Sequence, residues 1–224
     1  GGIAPQITRE LIINDNVGAI AQIPRELARA AARTLYREVF DVLRNNATYG
    51  PDSTTLFHAN HANTGTTALS LSGINAASLA MRDQAKYGSA TDVLGDQNTP
   101  RILLVPNELE GLAARISNPN VAALSARVTA DTDTVQSPDR WAGKLAVIVM
   151  DYFTVAATYY LVADPDMVRG IGVAFLNGNE EPELFLQANE NVGEMFSMDV
   201  QNIKVRQEFN TVITDYRAFY RQVG

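Results

Sequence analysis

His58 and His61 are the first residues whose type and spacing could do chemistry, three apart in the run HANHAN. On one face of a turn, two imidazoles can begin a metal site, since each offers a lone pair to a divalent ion. They do not finish one. No HExxH-like carboxylate stands where it would add a general base, and the chain has no cysteine to supply a thiolate. Hydrogen-bonded loop histidines are the favoured reading. Ser53 with His58 lacks the orienting third group of a triad. Asp131 with Asp133, and Asp164 with Asp166, resemble paired carboxylates for calcium or glycoside chemistry, but both pairs sit in loop-like sequence without a base or ligand partner.

Two further patterns have bland readings that win. Gly170-Ile171-Gly172 and Gly178 imitate a glycine-rich dinucleotide loop, yet the strand–loop–helix context and the final spacing are absent. Turn glycines are the better account. Phe209, Tyr216, Phe219 and Tyr220, with Arg206 and Arg217 nearby, have the means to stack on bases. The chain lacks the dense basic surface that such binding uses, so a sheet and interface core with hydrogen-bonded tyrosines is preferred. The sequence thus predicts no catalytic residue, no metal-ligand set, no cofactor and no enzyme activity.

The element that must position everything else is Pro24 to Asn46. Leu27, Ala31, Leu35, Val39 and Leu43 recur every fourth residue, and Ala28, Ala32, Tyr36 and Phe40 widen the row. That period is helical. Proline suits a first turn, where its missing donor is not needed, and Asn45-Asn46 supplies a stop. Such a helix is about 30 Å long or somewhat more. On its other side Arg29, Arg33 and Arg37 stand four apart, which costs a few tenths of a kcal/mol per like-charged pair. Glu26 and Asp41 give local relief; carboxylates elsewhere in the fold, or on a neighbouring copy, would complete the ladder.

The rest of the chain mixes short helices and strands. An extended arm is expected over Gln6–Ile13, followed by turn-forming Asn14-Asp15-Asn16. Ser72 is placed to cap a helix from Gly73 carrying Ile74, Ala77, Ala80 and Met81. Ile102–Val105 reads as a buried strand, and Pro106 opens a helix bearing Leu109, Leu112, Ala113 and Ile116. A short helix around Ala122–Leu124 and a polar linker from Thr129 to Arg140 precede apolar runs over Leu145–Met150 and Thr154–Val162. Beta tendency dominates from Glu183, above all over Ile203–Tyr220. The pattern is α+β rather than repeated βαβ units.

Length and charge bound the function. A chain of 224 residues holds one domain or two tightly joined subdomains. Hydrophobic residues make up 46% and charged ones only 19%, a surface suited to broad, weakly charged contacts. The formal charge is −7, and residues 151–200 hold Arg169 against nine acids. That argues against a nucleic-acid groove there, because phosphate binding relies on basic contacts. From Gln201 the chain turns net basic through Lys204, Arg206, Arg217 and Arg221; such asymmetry serves complementary surfaces on repeating copies. No apolar run nears the roughly 20 residues that cross a bilayer.

Several segments together carry a resemblance. They are RELIINDNVGAIAQIPRELARAAARTLYREVFDVLRNN, LFHANHAN followed by LSGINAASLAMRDQ, RILLVPNELEGLAARI, YYLVADP, GVAFLNGNEEPELF and VRQEFNTVITDYRAFYRQVG. In this order the chain resembles tailed-bacteriophage major capsid proteins of the HK97-like coat fold, especially coat regions fused behind a prohead protease domain. The resemblance implies an HK97-like α+β fold with a long spine helix and with peripheral and axial domains. It places a partial E-loop or extended arm at 1–23 and the peripheral domain with the spine at 24–72. Residues 73–165 are mainly axial, and 166–224 return to the strand-rich peripheral domain. Protease activity is not carried over.

The implied function is a structural coat protein that self-assembles, through hexamers and pentamers, into an icosahedral shell enclosing phage DNA without sequence specificity. Prohead protease, scaffold and portal are its implied partners, and the virion, assembled in the bacterial host cytoplasm, its place. Arg9, Arg29, Arg33 and Arg37 are the candidates for intersubunit contact, while Arg206 and Arg217 are expected to secure the terminal sheet. No motif picks a crosslinking pair among Lys86, Lys144, Lys204 and the asparagines. The alternatives are an encapsulin-like compartment shell, a soluble metal-dependent hydrolase using His58 and His61, and a nucleic-acid-binding module on the terminal aromatics.

Overall fold

The computed structural model describes residues 7–8, 19–86, 88–89, 91–118, 141–186, 194–198 and 200–224. In chain order they form β1 (Ile7–Thr8), α1 (Ala19–Arg44), β2 (Thr48–Tyr49), β3 (Thr54–Thr55), β4 (Thr64–Gly65), α2 (Leu71–Arg82) and β5 (Pro100–Val105). Then come α3 (Glu110–Ser117), β6 (Ala146–Val149), β7 (Thr158–Ala163), β8 (Ile171–Phe175), β9 (Glu183–Leu186), α4 (Glu194–Met198), β10 (Val200–Gln201), β11 (Ile203–Arg206), β12 (Phe209–Ile213) and β13 (Phe219–Val223). The fold is mixed α+β, as expected. Two compact units divide the chain, Gly1–Asp41 with Val173–Val212 and Val42–Gly172 with Ile213–Gly224.

The long helix is one continuous rod of 26 residues, about 39 Å at the α-helical rise. It differs from expectation at its start. The helix begins at Ala19, so Pro24 lies inside it and leaves the Ile20 carbonyl without its usual donor, a cost of about 3 kcal/mol in a helix interior. The apolar stripe is also narrower than its sequence. Leu27, Ala31, Leu35 and Val39 are half-buried and Leu43 is buried, whereas Ala28, Ala32 and Tyr36 face solvent.

The expected stop holds, and its chemistry is specific. Asn46 adopts a left-handed backbone, φ 51°, which asparagine tolerates better than most residues. Its N–H donates to the Leu43 carbonyl and that of Ala47 to the Val42 carbonyl, the paired bonds of a Schellman ending. The Asn46 side chain then grips the main chain of Phe57 both ways, Oδ1 accepting at 2.7 Å and Nδ2 donating at 3.1 Å. In α2 the cap is Ser70 rather than Ser72: its extended backbone lets Oγ accept from the Gly73 N–H at 3.1 Å, and Ser72 is already helical.

The second unit is built on a five-stranded sheet in the order β4-β13-β7-β5-β6. β7 is antiparallel to both β13 and β5, while β5 and β6 run parallel. A parallel pair needs a crossover, and α3 lies in that connection, so one βαβ turn sits inside an otherwise α+β pattern. Leu103, Leu104, Val105, Tyr159, Leu161 and Phe219 of these strands are buried, together with Ile74, Ala77 and Met81 from α2. The first unit holds much smaller pairings, β1 with β10 and β9 with β11, both antiparallel. The Ala122–Leu124 helix, the Thr129–Arg140 linker, and most of the N-terminal arm including Arg9 lie outside the described residues.

Gly170 shows how tight the second unit is. A Cβ there would run into the Phe219 ring and touch the Ala218 side chain at 3.0 Å, while one on Gly111 of α3 meets nothing within 4 Å. Gly170→Ala is therefore expected to destabilise by about 1–3 kcal/mol through overpacking. Gly111→Ala is expected to stabilise by about 0.5–1 kcal/mol through helix propensity. Urea unfolding midpoints of the two variants check this; shifts of the same sign would contradict the packing described.

Candidate functional site

His58 and His61 do come close, with ring centroids 6.4 Å apart, but their nitrogens are committed to different tasks. His58 precedes the short 3-10 turn Ala59–His61, and its Nδ1 accepts from the Asn60 N–H at 3.1 Å as a cap. His61 is buried. Its Nδ1 is hydrogen-bonded to the Leu56 carbonyl at 2.9 Å and its Nε2 to Asp52 Oδ2 at 2.6 Å. With both ring nitrogens engaged inside the fold, neither faces an open position for a metal. Among the described residues no group of three or more histidines and carboxylates is placed to hold an ion.

Around His61 the second unit assembles a polar and aromatic clasp. Tyr216 stacks on the imidazole, centroids 3.9 Å apart and planes within 11°. Tyr49 meets His61 and Tyr216 edge-on. Arg217 lies 5.1 Å over the Tyr216 ring and pairs with Asp215 at 3.2 Å. Asn63, fully buried, donates to the Leu56 carbonyl at 2.8 Å and accepts from the His58 N–H at 3.2 Å. The hydrogen bond from His61 and a second from the Thr54 N–H hold the Asp52 carboxyl below its ordinary range. Burial, with help from the Asp215 charge, pushes the Tyr49 hydroxyl up. Sequence alone gave no signal for Asp52 or Asn63, because their partners are chosen by the turn's closure.

The other candidates are likewise occupied by structure. Asp164 Oδ1 accepts from the Asp166 N–H at 3.1 Å, and Asp164 Oδ2 stands 3.8 Å from Arg101; Asp131 and Asp133 lie outside the described residues. Gly178 takes φ 73° in a turn, which leaves the glycine-rich stretch to turns and close packing. Ser53 also turns the chain, at φ 57°, and it is Asp52 that engages a histidine. Of the terminal aromatics, Phe219 and Tyr220 are buried, and the Tyr220 hydroxyl donates to the Thr64 carbonyl at 3.0 Å. Tyr159 is wholly buried and its hydroxyl is pushed up to about 12 by desolvation.

What stays open is surface in the first unit. In β9 the three successive side chains Leu184, Phe185 and Leu186 are 48%, 42% and 52% exposed. Successive strand residues point to opposite faces, so both faces of the β9–β11 pair are uncovered there. Phe196 and Met198 of α4 are exposed too. Cross-strand, Arg206 clamps Glu183 through Nε at 3.2 Å and Nη2 at 2.6 Å and covers the Phe185 ring at 4.8 Å. On α1, Arg37 pairs with Asp41 at 3.6 Å. Arg29 and Arg33 are exposed and form no ion pair among the described residues. Beside them, Leu27, Ala30, Ala31 and Thr34 line a shallow groove with Val205, Gln207 and Phe209. None of the described helices is long and apolar enough to cross a membrane.

A family model for phage capsid protein matches residues 5–222. Among solved structures, a phage-related protein from Bordetella bronchiseptica RB50 is 13% identical with a TM-score of 0.53, over 97% of this chain and 73% of that one. A structure from Mycobacterium phage Ogopogo is 12% identical with a TM-score of 0.50, over 98% and 73%. At such identities the likeness is one of fold. Comparison with curated proteins gives no match.

The Asp52–His61 bond ties stability to pH. Because the folded carboxyl titrates below its ordinary value of 3.8, its contribution is complete above that value and is lost as pH falls through the lower folded one. Asp52→Asn is expected to flatten this acid limb of the stability curve, followed by urea unfolding across pH 2–6. An acid limb as steep in the variant as in the parent would remove Asp52 from the account.

Proposed function

The chain belongs to the phage capsid protein family, and from that premise we propose that it is a structural coat subunit of the HK97-like type. It self-assembles through hexamers and pentamers into an icosahedral shell around packaged phage DNA. In this reading α1 is the spine helix, residues 24–72 and 166–224 are peripheral, 73–165 are mainly axial, and 1–23 are part of an E-loop. Its work is contact rather than catalysis. Assembly takes place in the host cytoplasm with prohead protease, scaffold and portal, and the finished shell is the virion capsid.

One observation carries the reading: the β9–β11 pair leaves apolar side chains open on both faces. A two-stranded sheet is marginal alone in water, and contiguous exposed apolar surface marks an interaction site. Copies packed side by side would cover it. Arg29 and Arg33 add the directional part. They stand over one another on an exposed helix face, and the chain carries a net charge of −7, so acids on an adjoining copy complete the ladder. The same acidic balance lets a shell enclose DNA without adhering to phosphate.

The test uses the purified protein, with negative-stain microscopy and sedimentation over a range of concentration and salt. Rings or closed shells are expected. The double variant Arg29→Glu/Arg33→Glu is expected to raise the concentration for half-assembly by roughly tenfold or more through like-charge juxtaposition, with unchanged circular dichroism. A monodisperse monomer under all conditions would sink the coat assignment. Assembly indifferent to the double charge reversal would remove the arginines from it.

A further inference from the structure

One face of the five-stranded sheet carries a basic and aromatic cavity. The register of β7 and β13 sets Arg221 opposite Tyr160 and Val223 opposite Thr158. Alternation along each strand puts all four on the same face. Together with Arg44, Phe153, Thr154 and Val155 they line a cavity of about 260 Å³. Its walls are aromatic and basic: Phe153 packs tilted against the Tyr160 ring at 5.0 Å, and Phe57, outside the lining, packs against the same ring at 5.4 Å. Arg221 lies 5.0 Å over Phe57. No acidic side chain is among the lining residues.

Two side chains of this cavity, Arg221 and Tyr160, have donors that meet no acceptor among the described residues. Arg206 has Glu183 and Arg217 has Asp215. Arg221 has no such carboxylate among the described residues, and its Nε is buried without a hydrogen-bond partner. Tyr160 is only 5% exposed, and its hydroxyl meets no partner among the described residues. Burial raises the pKa of that hydroxyl while the Arg221 charge pulls it back, so the two groups feel each other. Buried donors are normally paired, and a guanidinium prefers the planar fork of an oxyanion.

We infer that this cavity is an oxyanion site, in which Arg221 holds a carboxylate or phosphoryl group and the Tyr160 hydroxyl donates a hydrogen bond to it. The aromatic rings beside the two donors lower the local dielectric and strengthen both contacts. Free phosphate supplies this chemistry, and so does an acidic side chain of a second copy. The site itself is independent of whether the chain tiles a shell.

The experiment titrates inorganic phosphate and acetate, at ionic strength fixed with chloride, into the dilute full chain and into Arg221→Gln, Tyr160→Phe and the exposed control Arg25→Gln. Calorimetry reads binding, and sedimentation reads self-association at high concentration. Tyr160→Phe keeps the ring that packs on Phe57, so it carries the test if Arg221→Gln does not fold. Saturable anion binding by the parent and control is expected, weakened about tenfold or more by Arg221→Gln and about threefold to tenfold by Tyr160→Phe. That outcome assigns a free anion. No binding by the dilute chain, but self-association that acetate inhibits and both variants weaken, assigns a carboxylate of a second copy. If neither binding nor association responds to the two variants, the inference is overturned.

Discussion

The antiparallel pairing of β7 with β13 is the constraint on which the second unit depends. It joins Thr158–Val162 to Phe219–Val223, segments far apart in the chain, so the entropy of closing a long loop must be met before the sheet rewards it. Everything C-terminal is placed by that pairing. β13 gives β4 its neighbour and the Asn63 carbonyl the N–H of Arg221. The turn that leads into β13 carries Tyr216 onto His61. Without β13 the histidine would lose its stacking partner, the 48–65 region its anchor, and the basic cavity its guanidinium.

The first unit obeys a different economy. Its sheets are two-stranded and its longest helix presents two cations that no described carboxylate answers. Hydrophobic burial there is incomplete, with Leu184, Phe185 and Leu186 all open. On the proposed reading this incompleteness is functional: surface that a monomer would hide is kept for neighbouring copies. Weak, repeated contacts suit such a role, because many copies share the cost and small angular differences remain affordable. A dense core in one unit and open pairings in the other are what that division of labour requires.

Much of this was legible in the residue pattern. The row Leu27, Ala31, Leu35, Val39, Leu43 announced α1, and Asn45-Asn46 announced its end. Ile102–Val105 and the beta-branched run before Asp164 announced β5 and β7. The misses were local rules with more than one solution. Pro24 fits a first turn, yet the helix continues N-terminal to it, since one lost hydrogen bond does not stop a rod supported elsewhere. Ser70 and Ser72 both suit a cap, and only the extended backbone at Ser70 realises it. Ala28, Ala32 and Tyr36 read as core by type but are exposed, because apolar side chains also face water. The five-residue α4 is too short to show any period.

The site was less legible than the fold. The spacing of His58 and His61 was visible; their separation into a cap and a buried clasp was not. That outcome rests on Asp52, Asn63 and Tyr216, which no short-range pattern links to a histidine. Arg221 and Tyr160 are equally silent in sequence, since only strand register makes them opposite. By itself the sequence determined helix, strand and turn, because those depend on neighbours within a turn or a pleat. It also determined the charge balance and the family resemblance. The tertiary structure alone decided which distant side chains meet, because closing the chain selects one pairing from many that local chemistry permits equally.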